Sequence, residues 1–356
     1  MKNPDNNLSI STLLLRWYDV HKRDLPWRGT HDPYAIWISE IILQQTRIQQ
    51  GWDYFVRFMR RFPDVVSLAQ AHEDDVLKLW QGLGYYSRAR NLHAAAQQVV
   101  DRFGGQFPRT YSDILSLKGI GEYTAAAIAS IAYNEPYAAV DGNVFRVLSR
   151  LFDIDTPINT PVGKKQITAV AQSILHPRFP GLHNQAMMDL GAMVCTPAQP
   201  ECVECPFQEI CLALARNKVA DLPVKNRLKT VRNRYFHYFH IRYGDKVYIR
   251  KRIGRDIWKN LYEFPLVETD APADFAALQD SDGFKQLFSP VMQMTIRHTM
   301  HLKHVLSHQV IYADFYQVDI DPAEQSLQGR GLIEIPGYRL GEYAVSRLVH
   351  KYIETI

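Results

Sequence analysis

Apolar positions recur at helical spacing through the first part of this chain and alternate through the last part. Ile10, Leu13, Leu14, Trp17 and Tyr18 share one helical face, which predicts a first helix from about Leu8. Ser9 or Ser11 is its candidate cap, and the residues up to about Asn7 are expected to dangle. A second pattern starts near Asp32-Pro33 and carries Ile36, Trp37, Ile41 and Ile42. Further helices are predicted over 52–61, 74–81, 87–103, 123–133, 144–152, 165–175 and 184–194, with no strand-rich run among them. From about Arg216 the periodicity lapses, and Lys218, Lys225, Arg227, Lys229 and Arg232, with Arg234 just beyond, mark a basic linker at 216–233. Beyond Tyr235 the period changes to two. Residues 235–241, 247–249 and 309–318 read as strands with a turn at Gly244-Asp245, and 343–352 as a closing helix. The expected architecture is a mostly α body over 8–215 and a smaller α+β domain over 234–356.

Composition adds little that narrows this. An apolar content of 46% with 22% charged residues suits a globular protein, and 356 residues suffice for two domains. The net charge of +4 permits a nucleic-acid partner without requiring one. The polar start MKNPDNN and the lack of a long apolar run give neither a signal peptide nor a membrane span, so a cytoplasmic protein is expected.

Three local features carry the chemistry. The first is the hairpin Gly119-Ile120-Gly121 before the apolar segment 123–133, followed by Val140-Asp141-Gly142-Asn143. Glycines leave backbone amides bare, and the start of the next helix adds unpaired N–H groups, which suits a phosphate; an ordinary helix–turn–helix joint is the alternative. The second is Glu40, set among Trp37, Ile41, Ile42 and Leu43. Most glutamates are solvated, but apolar neighbours at helical spacing admit burial and a raised pKa. Between two predicted helices, Gly82-Leu83-Gly84-Tyr85-Tyr86 is a loop able to bring an aromatic face to another backbone, or simply a packed turn. The third is the run Cys195, Cys202, Cys205 and Cys211. Four cysteines in one short loop read as a metal site, zinc or iron–sulfur; the single Cys-x2-Cys and unequal spacing favour the cluster.

Together the hairpin, the Val140–Asn143 segment and the cysteine spacing resemble the helix-hairpin-helix DNA glycosylases that carry a [4Fe–4S] cluster, over about residues 8–215. Endonuclease III and the MutY adenine glycosylases are its two best-known branches. The endonuclease III branch has a nucleophilic lysine two residues past the second hairpin glycine. This chain has Tyr123 there, so Schiff-base lyase chemistry lacks its amine. Residues 39–47 (SEIILQQTR) and 82–88 look like the catalytic and intercalating segments of the MutY branch, and Trp258, Glu263-Phe264-Pro265 and 304–308 look like its Nudix-like recognition domain. That branch commonly has Phe-Ser-His where this chain has Leu306-Ser307-His308. The catalytic carboxylates of a Nudix box are missing, so this domain is expected to recognise and not to hydrolyse. His298, His301, His304 and His308 read more simply as strand and loop residues beside Lys303 than as a metal set.

What the resemblance implies is a monofunctional glycosylase that flips adenine, mispaired with 8-oxoguanine or guanine, out of double-stranded DNA. Glu40 would protonate the leaving base and Asp141 would stabilise the oxocarbenium ion, with Tyr123 and Asn143 orienting them. Leu25, Trp27, Arg28 and Gln185 would line the adenine pocket; Gln45 and Tyr85 would fill or wedge the stack. Gly119 and Gly121 would hold the backbone, and Ser307 and His308 would read 8-oxoguanine. The four cysteines would hold the cluster, in a protein expected to be monomeric. The competing readings are a same-scaffold glycosylase for thymine or an oxidised pyrimidine, a non-catalytic DNA-binding module, and a Nudix hydrolase with a DNA-binding helper.

Overall fold

The structure is a computed structural model and describes residues 4–226, 231–289, 293–320, 327 and 330–356, with side chains from Ile10 onward. Two compact units divide the chain, Met1–Gln70 with Asn91–Arg227 and Ala71–Arg90 with Leu228–Ile356. The second unit thus draws in a segment from the middle of the predicted helical body. Arg227 and Lys229 of the basic linker lie outside the described residues.

Helices account for the first unit: α1 (Pro4–His21), α2 (Pro33–Leu43), α3 (Ile48–Arg61) and α4 (Val65–Ala69) precede the excursion into the second unit. The chain leaves through α5 (Glu73–Leu79) and returns along α6 (Ser87–Phe103). Then follow α7 (Tyr111–Leu115), α8 (Glu122–Tyr133), α9 (Gly142–Leu151), α10 (Pro161–Ile174), α11 (Pro180–Met193) and α12 (Leu212–Ala215). The expected cap of α1 is corrected here. The helix starts at Pro4, so Ser9 and Ser11 both lie within it, and Ser11 is buried. The predicted starts of α10 and α11 are late, because Pro161 and Pro180 open both helices with a residue that needs no N–H partner.

Two helix starts place the later chemistry. At α2, Asp32 accepts from the amides of Tyr34 (3.0 Å) and Ala35 (3.2 Å), and the helix behind it is apolar nearly all round and buried. At α8 the N-cap is Gly121 with no side-chain bond, so its first amides stay uncapped. The small residues Ala125, Ala126, Ala127 and Ala129 of α8 are buried, which lets α2 lie close beside it. The core of this unit joins α1, α9, α10 and α11 through Leu14, Trp17, Leu148, Ile167 and Leu190. α11 touches α9 closely enough that a Cβ on Gly191 would sit 2.6 Å from the Cβ of Asn143.

The second unit is a mixed sheet. Its strands are β1 (Arg232–Tyr243), β2 (Lys246–Lys251), β3 (Tyr262–Glu263), β4 (Leu266–Thr269), β5 (Met294–Val305), β6 (Gln309–Ile320) and β7 (Ile333–Pro336). The order is β3-β2-β1-β6-β5, with β4 also on β1 and β7 also on β2. β1 and β6 run parallel in full register from Arg232↔Gln309 to Tyr243↔Ile320. One face packs Phe239, Val318 and Ile320 against α13 (Phe275–Asp280) and α14 (Asp282–Phe288). On the other face Tyr238, Phe315 and Tyr352 of α15 (Arg347–Ile353) stack in sequence at 5.0 and 4.5 Å between ring centroids. The predicted closing helix at 343–352 starts later, at Arg347, where Ser346 caps it through the Val349 amide.

Candidate active site and DNA-contacting elements

A cleft of about 1670 Å³, counting its open mouth, lies within the first unit between the end of α2, the starts of α8 and α9, and α11. Leu25, Trp27 and Arg28 from the loop after α1 line it, with Glu40 and Gln45 from α2 and its exit. Tyr123, Asp141, Asn143 and Gln185 complete the set. Nine positions read from the sequence as separate motifs therefore meet in one place.

At the floor are two carboxylates in unlike surroundings. Asp141 is the N-cap of α9: its carboxylate accepts from the Val144 amide and from Asn143 Nδ2, both at 2.8 Å. Burial raises its pKa, while those bonds and the nearby Arg146 guanidinium hold it down. Glu40 also has its pKa raised by burial. Tyr123, whose hydroxyl donates to Oε2 at 2.5 Å, opposes the rise, and the charge of Asp141 adds to it. Tyr123 is itself held protonated, its pKa pushed well up by burial and by both carboxylates. Asp141 thus has more anion-stabilising donors than Glu40, so of the two it is the better placed to hold a negative charge.

Side chains not singled out in the sequence brace the site. Asp189, fully buried, receives Arg28 Nη2 at 2.9 Å and pairs with Arg23. Arg28 Nη1 donates to the Tyr18 hydroxyl at 2.9 Å, and Tyr18 donates to Gln185 Oε1 at 3.2 Å. Arg146 donates to Asn143 Oδ1 (2.9 Å), the Gly191 carbonyl (2.7 Å) and the Cys195 carbonyl (2.7 Å). The sequence held one usable signal for these: Asp189 lies one helical turn beyond Gln185, and Arg146 one turn beyond Asn143, so each pair shares a face.

The loops that carry the glycines, Gln45 and Tyr85 have their own geometry. Gly119 has φ +77°, and a Cβ there would lie 2.5 Å from Asn91 Cβ, whereas a Cβ on Gly121 would meet nothing within 4 Å. Gln45 at φ +59° and Tyr85 at φ +47° hold non-glycine backbones in the left-handed region, and both are exposed. Such strain is retained where a loop has a task. In the second unit, Arg88 lies 5.6 Å from the Tyr85 ring centre and 5.3 Å from that of Trp80. Ser307 and His308 sit exposed in the β5–β6 turn, bonded to each other at 3.2 Å. Of the histidines near them, His298 and His301 both bond Asp314 Oδ1, at 3.0 and 2.9 Å, and His304 packs on Trp258.

Cys195, Cys202, Cys205 and Cys211 are all unpaired and line one small cavity after α11. As placed, no group of three or more His, Cys, Asp or Glu among the described residues is arranged to hold a metal ion. The donor chemistry nevertheless fits a cluster. Arg150, buried, points Nη1 at Cys195 Sγ (3.4 Å), Phe207 gives its amide to Cys205, and Ala213 and Leu214 give theirs to Cys211. Burial pushes the Cys205 thiol up to about 11, so a bound cation must displace its proton.

Two parts of the chain match known protein families. Residues 38–177 match the HhH-GPD superfamily of base excision DNA repair proteins, and residues 237–355 match the NUDIX domain. The adenine DNA glycosylase of Buchnera aphidicola from Acyrthosiphon pisum is 38% identical over 257 residues, 72% of this chain and 73% of that protein. The mouse adenine DNA glycosylase is 45% identical over 212 residues, 57% of this chain and 41% of the longer mouse protein. Among solved structures, a thermostable thymine-DNA glycosylase superposes with a TM-score of 0.55 at 27% identity, over 60% of this chain and 98% of that one. An endonuclease III–DNA complex shares the fold at 19% identity and a TM-score of 0.51, over 61% of this chain and 99% of that one.

Proposed function

This chain belongs to the adenine DNA glycosylases of the helix-hairpin-helix base excision repair superfamily, and from that premise we propose how its cleft releases adenine and which mispairs it serves. The enzyme cuts the N-glycosidic bond of adenine in DNA. We assign it adenine opposite 8-oxoguanine or guanine in duplex DNA, without lyase activity, acting as a monomer in the cytoplasm. No helix among the described residues is long and apolar enough to cross a membrane.

The observation that supports this most is the pair of carboxylates on one cleft floor with unequal hydrogen-bonding support. The flipped base enters between Leu25, Trp27, Arg28 and Gln185. Glu40, protonated, gives its proton to the leaving adenine, so the base departs neutral. As the C–N bond breaks, positive charge develops on the sugar, and ionised Asp141 stabilises or captures it before water adds. Asn143 fixes the Asp141 carboxylate and Tyr123 fixes Glu40. Tyr123 fills the lyase's lysine position and offers no amine, so the strand stays whole. The open amides at Gly119, Gly121 and the start of α8 take the phosphate backbone. Gln45 and Tyr85 fill the stack, and Ser307 and His308 read the opposite base. The four cysteines would hold a [4Fe–4S] cluster, which when bound cross-links their loop. It takes no part in base release.

Single-turnover adenine release from duplexes with A opposite 8-oxoguanine, G or C tests the assignment. Release is expected from the first two and little from the third. Failure to release adenine opposite either 8-oxoguanine or guanine would remove the proposed substrate.

A further inference from the structure

The segment carrying Tyr85 is built into the unit that carries Ser307 and His308. Its contacts there are numerous and specific. Asp74 of α5 takes Lys251 Nζ at 2.6 Å on Oδ1 and the Tyr262 hydroxyl at 2.9 Å on Oδ2. Glu73 accepts from Asn260 Nδ2 at 2.5 Å, and Arg90, just beyond the loop, donates to the Lys259 carbonyl at 2.8 Å. Lys78 donates to the Tyr343 carbonyl at 3.0 Å, and Tyr86, next to Tyr85, donates to the Val345 carbonyl at 3.0 Å.

Glu73 and Arg90 flank the loop in sequence and grip the same short turn, 258–260. That turn is unusual. Trp258 at φ +60° and Asn260 at φ +66° are both left-handed without being glycine. Asn260 returns its amide to the Arg252 carbonyl at 2.7 Å, so the turn is held from both sides. Its Trp258 ring lies 5.8 Å from the His304 ring on β5, and β5 ends one residue later, immediately before Leu306-Ser307-His308. A continuous set of contacts therefore runs from the Tyr85 loop, through the strained turn, to the Ser307–His308 loop.

We propose that Glu73, Asp74 and the 258–260 turn are positioning elements that lock the Tyr85 loop to the Ser307–His308 loop, making stack insertion and reading of the opposite base one coupled event. This rests on the roles given above to Tyr85, Ser307 and His308. Neither Glu73 nor Asp74 touches DNA in it; they act through the loop they hold. Coupling of this kind is shown only by a thermodynamic cycle, and proximity alone does not establish it.

The cycle combines Tyr85→Ala and His308→Ala in the full-length protein and reads the ratio of single-turnover release from A:8-oxoguanine to that from A:G. The two changes are expected to be non-additive by roughly fivefold or more, within the range of measured couplings. In a Glu73→Ala/Asp74→Ala background they become additive to within about twofold. Additivity in the unmodified background would overturn the proposal, as would full non-additivity persisting after the contacts are cut. Should neither Tyr85→Ala nor His308→Ala move the ratio, the assigned roles fail. Amide hydrogen exchange in the free protein then decides the lock by itself. Residues 82–88 are expected to exchange about tenfold faster in Glu73→Ala/Asp74→Ala while α8 stays protected. Unchanged exchange would reject the lock. Charge exchange, Asp74→Lys with Lys251→Asp, should restore slow exchange in part, and accelerated exchange in this swapped pair would likewise count against it.

Discussion

Asp141 holds two roles that a substitution can separate. It caps α9 and, in the mechanism proposed for the cleft it lines, supplies the carboxylate facing the sugar. Asparagine caps helices about as well as aspartate, so Asp141→Asn should leave the fold intact and keep mispair binding. Base release should fall by about 10³-fold, the scale of a lost electrostatic stabiliser. Binding by gel shift, set beside single-turnover rates, checks this, and loss of binding would make Asp141 structural. Glu40 yields a prediction for stability as well. Burial raises its folded pKa above the ordinary carboxylate value. Stability linked to it is therefore fully present below that ordinary value and is lost as pH rises through the raised one. Glu40→Gln should match the wild type in melting temperature near pH 4 and exceed it increasingly toward neutrality. Release should fall by roughly 10²–10⁴-fold, and the alkaline limb of the pH–rate profile should vanish. A variant that melts no higher at pH 7 would mean the carboxyl is not held in a desolvated place.

At the level of elements, the hairpin offers two glycines that do different work. Gly119 needs its left-handed φ and abuts Asn91, so Gly119→Ala should destabilise the protein by about 1–3 kcal/mol in urea titrations. Gly121 has ordinary φ and open space, so Gly121→Ala should cost less than about 1 kcal/mol. Its methyl group would stand where the phosphate approaches, and affinity for duplex should fall about tenfold, or ~1.4 kcal/mol. Equal destabilisation by both would refute this division. The helices were legible because their apolar faces repeat at 3.6 residues, and the hairpin because glycine is hard to mistake. Caps were harder. Asp141 lay in plain view as a carboxylate, yet it is also the N-cap of α9 through the Val144 amide, and α9 starts two residues before the expected Val144, which the pattern hid because Gly142 and Asn143 add nothing to its apolar face. Asp189 escaped because its ion partners, Arg23 and Arg28, come from a loop far away in sequence, and Tyr18 showed only its apolar face, not the hydroxyl that bonds Arg28 and Gln185.

For the molecule as a whole, the proposed cluster and the interleaved units set the terms. Purified protein should show broad visible absorbance and the iron content of one [4Fe–4S] cluster, both lost in Cys205→Ser. Zinc in place of iron would correct the reading of the cysteine spacing. Cys195 borders the catalytic floor through Arg146, so the same variant should also release adenine more slowly from A:8-oxoguanine duplexes. The strands of the second unit were half legible. β6 alternates visibly and β1 and β2 show as runs of aromatic and β-branched residues, whereas β3, β4 and β7 are too short to show a pattern. Most of β5 is masked by its exposed histidines and threonines. That Ala71–Arg90 belongs to this unit could not be read at all, since composition there matches the helices around it.

That interleaving also sets an order of events during synthesis. The Ala71–Arg90 segment leaves the ribosome well ahead of Leu228–Ile356. At ~5–20 residues per second the gap is on the order of ten seconds. Through that interval the buried residues Val76, Leu77, Trp80 and Tyr86 lack the rest of the unit they belong to, and Tyr86 lacks the Val345 carbonyl it later bonds, although the helices on both sides of them can already form. The nascent chain therefore carries an unmet apolar stretch in its middle, not at its growing end. A truncated product ending near residue 227 would keep that stretch permanently, which makes it a binding site for chaperones and an early cleavage point for proteases.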